Sequence, residues 1–196
     1  MDWKNKQSLP KGQMVRLLGN HNEMNSMEYG LLYNYDLYPK NTNWKLKTDI
    51  FENISDNEIN YSKKIFSIDP KGCTDIDDAF SLEYLEEENK LLLDIHITDV
   101  YSFLKQYNLL NKVNNYTSIY LDDNLIHMIN KNIASNHSSL LQKQIRQMIT
   151  LSITYDIKNN TLQKEFKTTI GKVTKNYNYK NYPKFINNHF SKIENI

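Results

Sequence analysis

The run Ile68-Asp69-Pro70-Lys71-Gly72-Cys73-Thr74-Asp75-Ile76-Asp77-Asp78-Ala79-Phe80 constrains this 196-residue chain more than any other stretch. Four carboxylates, Asp69, Asp75, Asp77 and Asp78, fall within ten positions, with Pro70 and Gly72 between the first and the rest. Ile65-Phe66-Ser67-Ile68 enters the run, and the alternating Phe80-Ser81-Leu82-Glu83-Tyr84 leaves it. An apolar run, turn formers and then alternation read as strand, bent loop, strand. The first strand delivers Asp69 at its end, and the loop folds the other three back toward it. In extended backbone Asp75 and Asp77 point one way and Asp78 the other. Gathered carboxylates repel one another unless a positive group sits among them, and a hard divalent cation with oxygen ligands is the usual partner. A solvated acidic turn is the plain alternative. An EF-hand loop starting at Asp75 is excluded, because Phe80 holds the sixth position, where the turn needs glycine. An Asp-x-Asp phosphatase pattern fits poorly, since Lys71-Gly72-Cys73-Thr74 precedes Asp75 instead of an apolar strand.

The flanking chain supplies a scaffold. Glu86–Lys90 reads as a hairpin turn, and Leu91–Ile97 as a buried returning strand. His96 lies inside that strand and reads as a hydrogen-bonded core histidine, while Asp99 after it reads as a helix cap. Phe103, Leu104, Tyr107, Leu110 and Val113 recur at helical spacing over 101–116. A short strand is expected at 117–121. Residues 147–157 alternate, Lys158-Asn159-Asn160 turns, and 161–174 returns as a partner strand. Lys164, Lys167, Lys172 and Lys175 give this hairpin a basic edge, read as a solvated face with phosphate contact as the alternative. A helix is expected after Tyr182-Pro183. Upstream, Leu9–Gly19 reads as a turn and one strand, Leu31-Leu32-Tyr33 as a short strand, and Asp49–Ile54 as a helical turn or two. Trp44 reads as a packing anchor.

Composition excludes some classes. The formal net charge is +1, so any nucleic-acid contact relies on a local concentration of cations. A single cysteine, Cys73, excludes an internal disulfide, fits a reducing compartment, and reads as a small loop residue. No run of about 18 apolar residues is available to span a membrane. The N-terminus has no apolar signal segment, which leads to an expected cytoplasmic location.

The pattern Asp-Pro-x4-Asp-x-Asp-Asp-Ala resembles the signature of the ribonuclease II / ribonuclease R family of RNB-domain exoribonucleases. Further blocks follow in order. Ile95–Phe103 resembles the family's His-Ile-Ala-Asp-Val-Ser stretch, and Thr117–Leu121 its Thr-Ser-Val-Tyr-Leu stretch. Ile126-His127-Met128 resembles Ile-Pro-Met, and Ser139-Leu140 followed by Arg146 resembles Cys-Ser-Leu and a following arginine. Asn115, where many relatives have arginine, and His127, in place of proline, depart from the pattern.

The resemblance implies an α+β fold: a mixed, largely antiparallel sheet with flanking helices. It divides the chain into a cold-shock (OB-type) strand remnant at 1–20, a linker region at 21–62, and the N-terminal part of an RNB domain at 63–196. It further implies hydrolysis of single-stranded RNA from the 3′ end to nucleoside monophosphates, with Mg²⁺ or Mn²⁺ as cofactor. Asp69, Asp75 and Asp78 are the implied metal ligands, and Asp77 the residue that positions or deprotonates water. Tyr120 is the implied base-stacking residue, and Arg146 an RNA contact or a loop pin. The family's later half carries an arginine, an acidic residue and a second stacking aromatic that none of these residues supplies. A second polypeptide that supplies them, or a remnant that only binds RNA, are the implied alternatives to a self-sufficient nuclease.

Overall fold

The computed structural model describes residues 12–37, 44, 53–113, 116–121 and 125–184. Seven strands form: β1 (Tyr61–Asp69), β2 (Asp78–Leu85), β3 (Lys90–Thr98), β4 (Ile119–Tyr120), β5 (Leu125–Ile126), β6 (Ile145–Asp156) and β7 (Thr161–Asn178). Among the described residues two α-helices accompany them, α1 (Met24–Asn34) and α2 (Val100–Gln106). The expected strand–loop–strand around the aspartates is present, with Asp69 as the last residue of β1 and Asp78 as the first of β2.

The sheet is mixed and largely antiparallel, as expected, but it closes on itself. Strands β1-β2-β3-β6-β7 form a five-stranded barrel, and β4-β5 a separate two-stranded ribbon. The length of β7 makes closure possible. Its 18 residues pair antiparallel with β6 from Thr161 to Lys172, and its second half runs parallel to β1 from Gly171 to Asn178. One strand thus joins both borders of the sheet, and a closed sheet has no free edge to aggregate. At the crossing, a Cβ on Gly171 would lie 2.7 Å from Ile65 Cδ1 and 3.1 Å from Met148 Cε, so those buried side-chain ends would have to give way to any larger residue.

The barrel interior has two layers. At the end that carries the aspartate loop, Ile65, Ala79, Met148 and Val173 pack with Ile76 and Leu140, which enter from loops. Below them the interior is polar. His96 is fully buried; its Nε2 lies 3.0 Å from Ser81 Oγ and its Nδ1 2.8 Å from Thr150 Oγ1. Tyr61 stands edge-on to the imidazole at 4.8 Å and donates its hydroxyl to Asp94. His96 is therefore the satisfied core histidine expected, and burial holds its pKa down to about 4.

A second cluster lies outside the barrel, where Leu104, Leu109, Ile129 and Ile133 pack with Trp44, Phe103 and Tyr107. Trp44 is the packing anchor the sequence suggested. Asp99 caps α2 by accepting from Ser102 N at 3.0 Å. The apolar stripe over 101–116 does not make one helix. Helix α2 stops at Gln106, Asn108 takes a left-handed conformation (φ 55°), and a 3₁₀ turn follows at Leu110–Lys112. Asn tolerates that conformation better than most residues, and it breaks the helical register.

Upstream, Leu31-Leu32-Tyr33 belongs to α1, not to a strand. Its Met, Glu and Leu residues favour helix, and no β-branched residue stands among them. Residues 12–20 carry no strand, so the described part of the expected N-terminal strand is absent. Of the helical turns expected over 49–54, residues 53–54 carry no helix and 49–52 lie outside the described residues, as does the expected helix beyond residue 184.

Candidate active site

The loop from Pro70 to Asp77 lies over the apolar end of the barrel. Gly72 turns it with φ +87°, a conformation that favours glycine, and Cys73 N donates to Pro70 O at 3.1 Å. Ile76 drops its side chain into the core, which leaves Asp75 half-buried and Asp77 and Asp78 exposed on either side. Thr98 N, at the end of β3, donates to Asp77 O at 3.1 Å and ties the far side of the loop to the barrel rim.

Two braces fix the loop. In the first, Ser139 is fully buried, and its hydroxyl donates to Thr74 O (2.9 Å) while accepting from Ile76 N (2.9 Å). Leu140 N adds a bond to Ile76 O at 2.8 Å. Arg146 holds this brace from behind: its Nε donates to Ser139 O (2.9 Å), Nη1 to Ile145 O (2.8 Å) and Nη2 to Asn136 O (2.9 Å). Of the two roles expected for Arg146, RNA contact and loop pin, the side chain's bonds in this structure are those of the pin. In the second brace, Ser67 Oγ donates to Asp69 Oδ2 at 2.6 Å. Asn176 Nδ2 donates to Ser67 Oγ (2.9 Å) and to Leu140 O (3.0 Å), and Asn176 Oδ1 accepts from Gln142 N (2.6 Å). Asn176 thus links β1, β7 and the segment that carries the first brace.

Sequence reasoning did not single out Ser67 or Asn176. Ser67 had a readable signal, because a residue two positions before a strand's terminal aspartate shares its face. Asn176 had none, since its partners lie 36 and 109 residues away.

The four carboxylates feel one another. Asp69 is raised above the usual carboxylate range, first by burial and then by the charges of Asp78 and Asp75, although the Ser67 hydroxyl pulls the other way. Asp77 is raised likewise, first by desolvation and then by Asp75, Asp78 and Asp69. Among the described residues no lysine or arginine forms an ion pair with any of the four. Cys73 points its thiol at Asp75, with Sγ 3.7 Å from both Asp75 O and Oδ1, and burial raises its pKa. A thiol raised in this way is no nucleophile, consistent with a loop residue.

Tyr120 lies on β4, paired with Leu125, and is 74% exposed. Its phenol is raised above its ordinary value, first by burial and then by the charges of Asp75 and Asp77, whose field therefore reaches it. The structure therefore brings Asp69, Asp75, Asp77, Asp78 and Tyr120 to one end of the barrel, with Arg146 behind the loop.

Four hard oxygen donors with uncompensated charge suit Mg²⁺ or Mn²⁺ in chemistry. In position they do not yet make a cage. Among the described residues, no three His, Cys, Asp or Glu side chains stand close enough to hold an ion.

Comparison with known proteins agrees with this geometry. Residues 59–195 match the model of the RNB domain. The chain is 29% identical over 180 residues to ribonuclease R of Ureaplasma parvum serovar 3, covering 87% of this chain and 24% of that protein. It is 32% identical over 152 residues to the human exosome complex exonuclease RRP44, covering 70% of this chain and 15% of that one. It thus spans about a quarter or less of the length of these relatives. The fold matches Mycoplasma genitalium RNase R, solved in complex with double-stranded RNA, at a TM-score of 0.71 and 15% identity over 87% of this chain and 32% of that one. It also matches yeast Ssd1, described as a pseudonuclease, at a TM-score of 0.61 and 13% identity over 82% of this chain and 22% of that one.

Proposed function

This chain belongs to the RNB domain family, and we propose that it supplies the acidic half of a 3′-to-5′ exoribonuclease that releases nucleoside monophosphates from single-stranded RNA. The observation that carries the reading is the set of four aspartates on one braced loop, with no ion pair to a described cation, in which burial and the neighbouring carboxylates raise Asp69 and Asp77. Asp69, Asp75 and Asp78 are the residues that would hold Mg²⁺ or Mn²⁺. Such an ion, when bound, polarises a phosphoryl oxygen and lowers the pKa of bound water. Asp77, whose carboxyl is raised by burial and then by its acidic neighbours, is the residue that would hold or accept the proton of an attacking water. Tyr120 offers an exposed ring beside the same carboxylates, and base stacking on such a ring contributes about 1–3 kcal/mol without sequence preference. Ser139 and Arg146 act by positioning the loop. Arg146 commits three of its five N–H donors to carbonyl partners, which leaves two for any RNA contact.

On this reading residues 63–196 are the N-terminal part of the RNB domain, 21–62 bridge to it, and 1–20 correspond to the end of a cold-shock module. The remaining catalytic groups come from further RNB sequence, and the protein acts in the cytoplasm. No described helix is long and apolar enough to cross a membrane.

One observation favours a second reading. The carboxylates do not converge on a common centre by themselves, which suits a non-catalytic RNA-binding or scaffolding remnant. A 3′-labelled RNA separates the two. The nuclease reading requires Mg²⁺-dependent shortening, alone or with the polypeptide that completes the domain, and Asp77→Asn must abolish it without weakening RNA binding. Retardation of the RNA without shortening under any divalent metal supports the remnant.

A further inference from the structure

We propose that the seam between β1 and β7 is a second phosphate-binding site, a lysine-lined cleft that holds the RNA backbone upstream of the aspartate loop. The inference rests on RNA as the ligand of the acidic end. The two strands run parallel, but their register slips between Tyr61 and Ile65 and again between Ile65 and Phe66. A cleft of about 420 Å³ lies along this seam.

Lys63, Lys64, Lys143 and Lys172 line this cleft, and no carboxylate does. In a chain with 24 Lys and Arg against 23 Asp and Glu, that is a local concentration and not a reflection of composition. Lys63 is engaged by Asp94 at 3.0 Å, and Lys172 loosely by Asp56 at 3.6 Å. Among the described residues Lys64 and Lys143 have no ion pair. The backbone fixes Lys143 firmly. It holds a left-handed conformation (φ 69°) while its N–H donates to Val173 O at 2.8 Å and Val173 N donates to Gln144 O at 2.9 Å. That backbone anchors the base of the Lys143 side chain beside β7, and its flexible stem carries the ammonium from there.

The seam leads to the acidic end. Lys175, exposed and opposite Phe66 in the register, continues the line of cations, and the pairing ends at Asp69↔Asn178. From Lys64 to Asp69 the strand rises about 17 Å at roughly 3.3 Å per residue. A stacked single strand places one phosphate every ~3.4 Å, so about five nucleotides span the gap. A single strand whose 3′ end lies at the aspartates therefore reaches the cleft only when it is longer than about five nucleotides. The basic edge on β7 that reads from sequence as a solvated face is, at Lys172 and Lys175, one side of this path.

Fluorescence anisotropy of 5′-labelled oligoadenylates in EDTA, where nothing is cut, tests the proposal. The variant is Lys64→Ala/Lys143→Ala, with its thermal melt as the folding control. For a ~12-nucleotide RNA the variant should bind about tenfold more weakly, and its slope of log affinity against log salt should flatten by about 1.4, two phosphates' worth for single-stranded RNA. For a ~4-nucleotide RNA its affinity should equal that of the parent, because the strand stops short of the cleft. Unchanged affinity and slope on the longer RNA overturn the proposal, as does an equal loss on both lengths. The nuclease reading fails separately, through absence of shortening in Mg²⁺, and leaves this length-dependent loss in place.

Discussion

Asp94, inside the barrel, and Asp77, on the loop at its rim, meet the same electrostatic problem with opposite outcomes. Asp94 is almost wholly buried, and burial alone would drive its carboxyl to protonate. The Tyr61 hydroxyl at 2.5 Å and the Lys63 ammonium at 3.0 Å outweigh that, and Asp94 is held below the usual range. Asp77 loses hydration and gains three carboxylate neighbours, without a described cation of its own, and rises. The chain balances one carboxylate from within and leaves a group of others unbalanced. A carboxylate neutralised internally serves the fold. A braced group left with excess negative charge has no internal partner among the described residues, and that difference is why the rim is proposed as the functional end.

Acid should expose the contrast most strongly. His96 is neutral when folded, with a pKa near 4 against an unfolded value of 6.5. Its contribution to stability is complete above pH 6.5 and is lost as the pH falls toward 4, a total of about 3 kcal/mol. Asp69 and Asp77 have the opposite sign: raised when folded, they favour the folded state below the ordinary carboxylate pKa, and that contribution fades as the pH rises through their folded values. Urea midpoints across this range should therefore fall from pH 6.5 to 4 in the parent, and His96→Gln should flatten that limb.

Removing the interior carboxylate comes next. Asp94→Ala should cost about 2–3 kcal/mol in urea unfolding, at the low end for a buried pair because Lys63 reaches solvent. Asp77→Asn relieves repulsion at the rim and should change stability by less than about 0.5 kcal/mol, or raise it. Equal losses from the two would erase the contrast.

A smaller effect joins the regions. Ser139→Ala removes the hydroxyl that serves Thr74 O and Ile76 N and should cost about 1–2 kcal/mol. Because it loosens the loop, it should also weaken Mn²⁺ binding measured by paramagnetic resonance. Ser135→Ala, an exposed neighbour whose hydroxyl donates to Lys131 O, should leave Mn²⁺ binding alone.

The aspartate loop was legible because its signals are local. Pro70, Gly72 and the change from apolar run to alternation lie within a few residues and dictate strand, turn and strand. His96 and Asp99 were legible for the same reason, one by its place in a buried run and the other by its place before a helix. Closure of the barrel was not, because it depends on β7 pairing with β1 across about 110 residues, and alternation alone does not say which strands meet. The amide brace escaped for the same reason: the partners of Asn176 lie 36 and 109 residues away. The stripe over 101–116 misled because helical spacing persists through Asn108, where the backbone turns left-handed. The segment at 31–33 misled because three apolar residues fit either element, and only the helix formers before them decide.

The central claim is that the rim aspartates are left unbalanced to receive a divalent cation. Titrating Mg²⁺ or Mn²⁺ into the chain while following its melting temperature tests this most directly. The account predicts a saturable rise that Asp69→Asn/Asp77→Asn abolishes and Asp94→Asn, despite its lower starting stability, preserves. A melting temperature indifferent to either ion, or a rise that survives in the rim double variant, would contradict it.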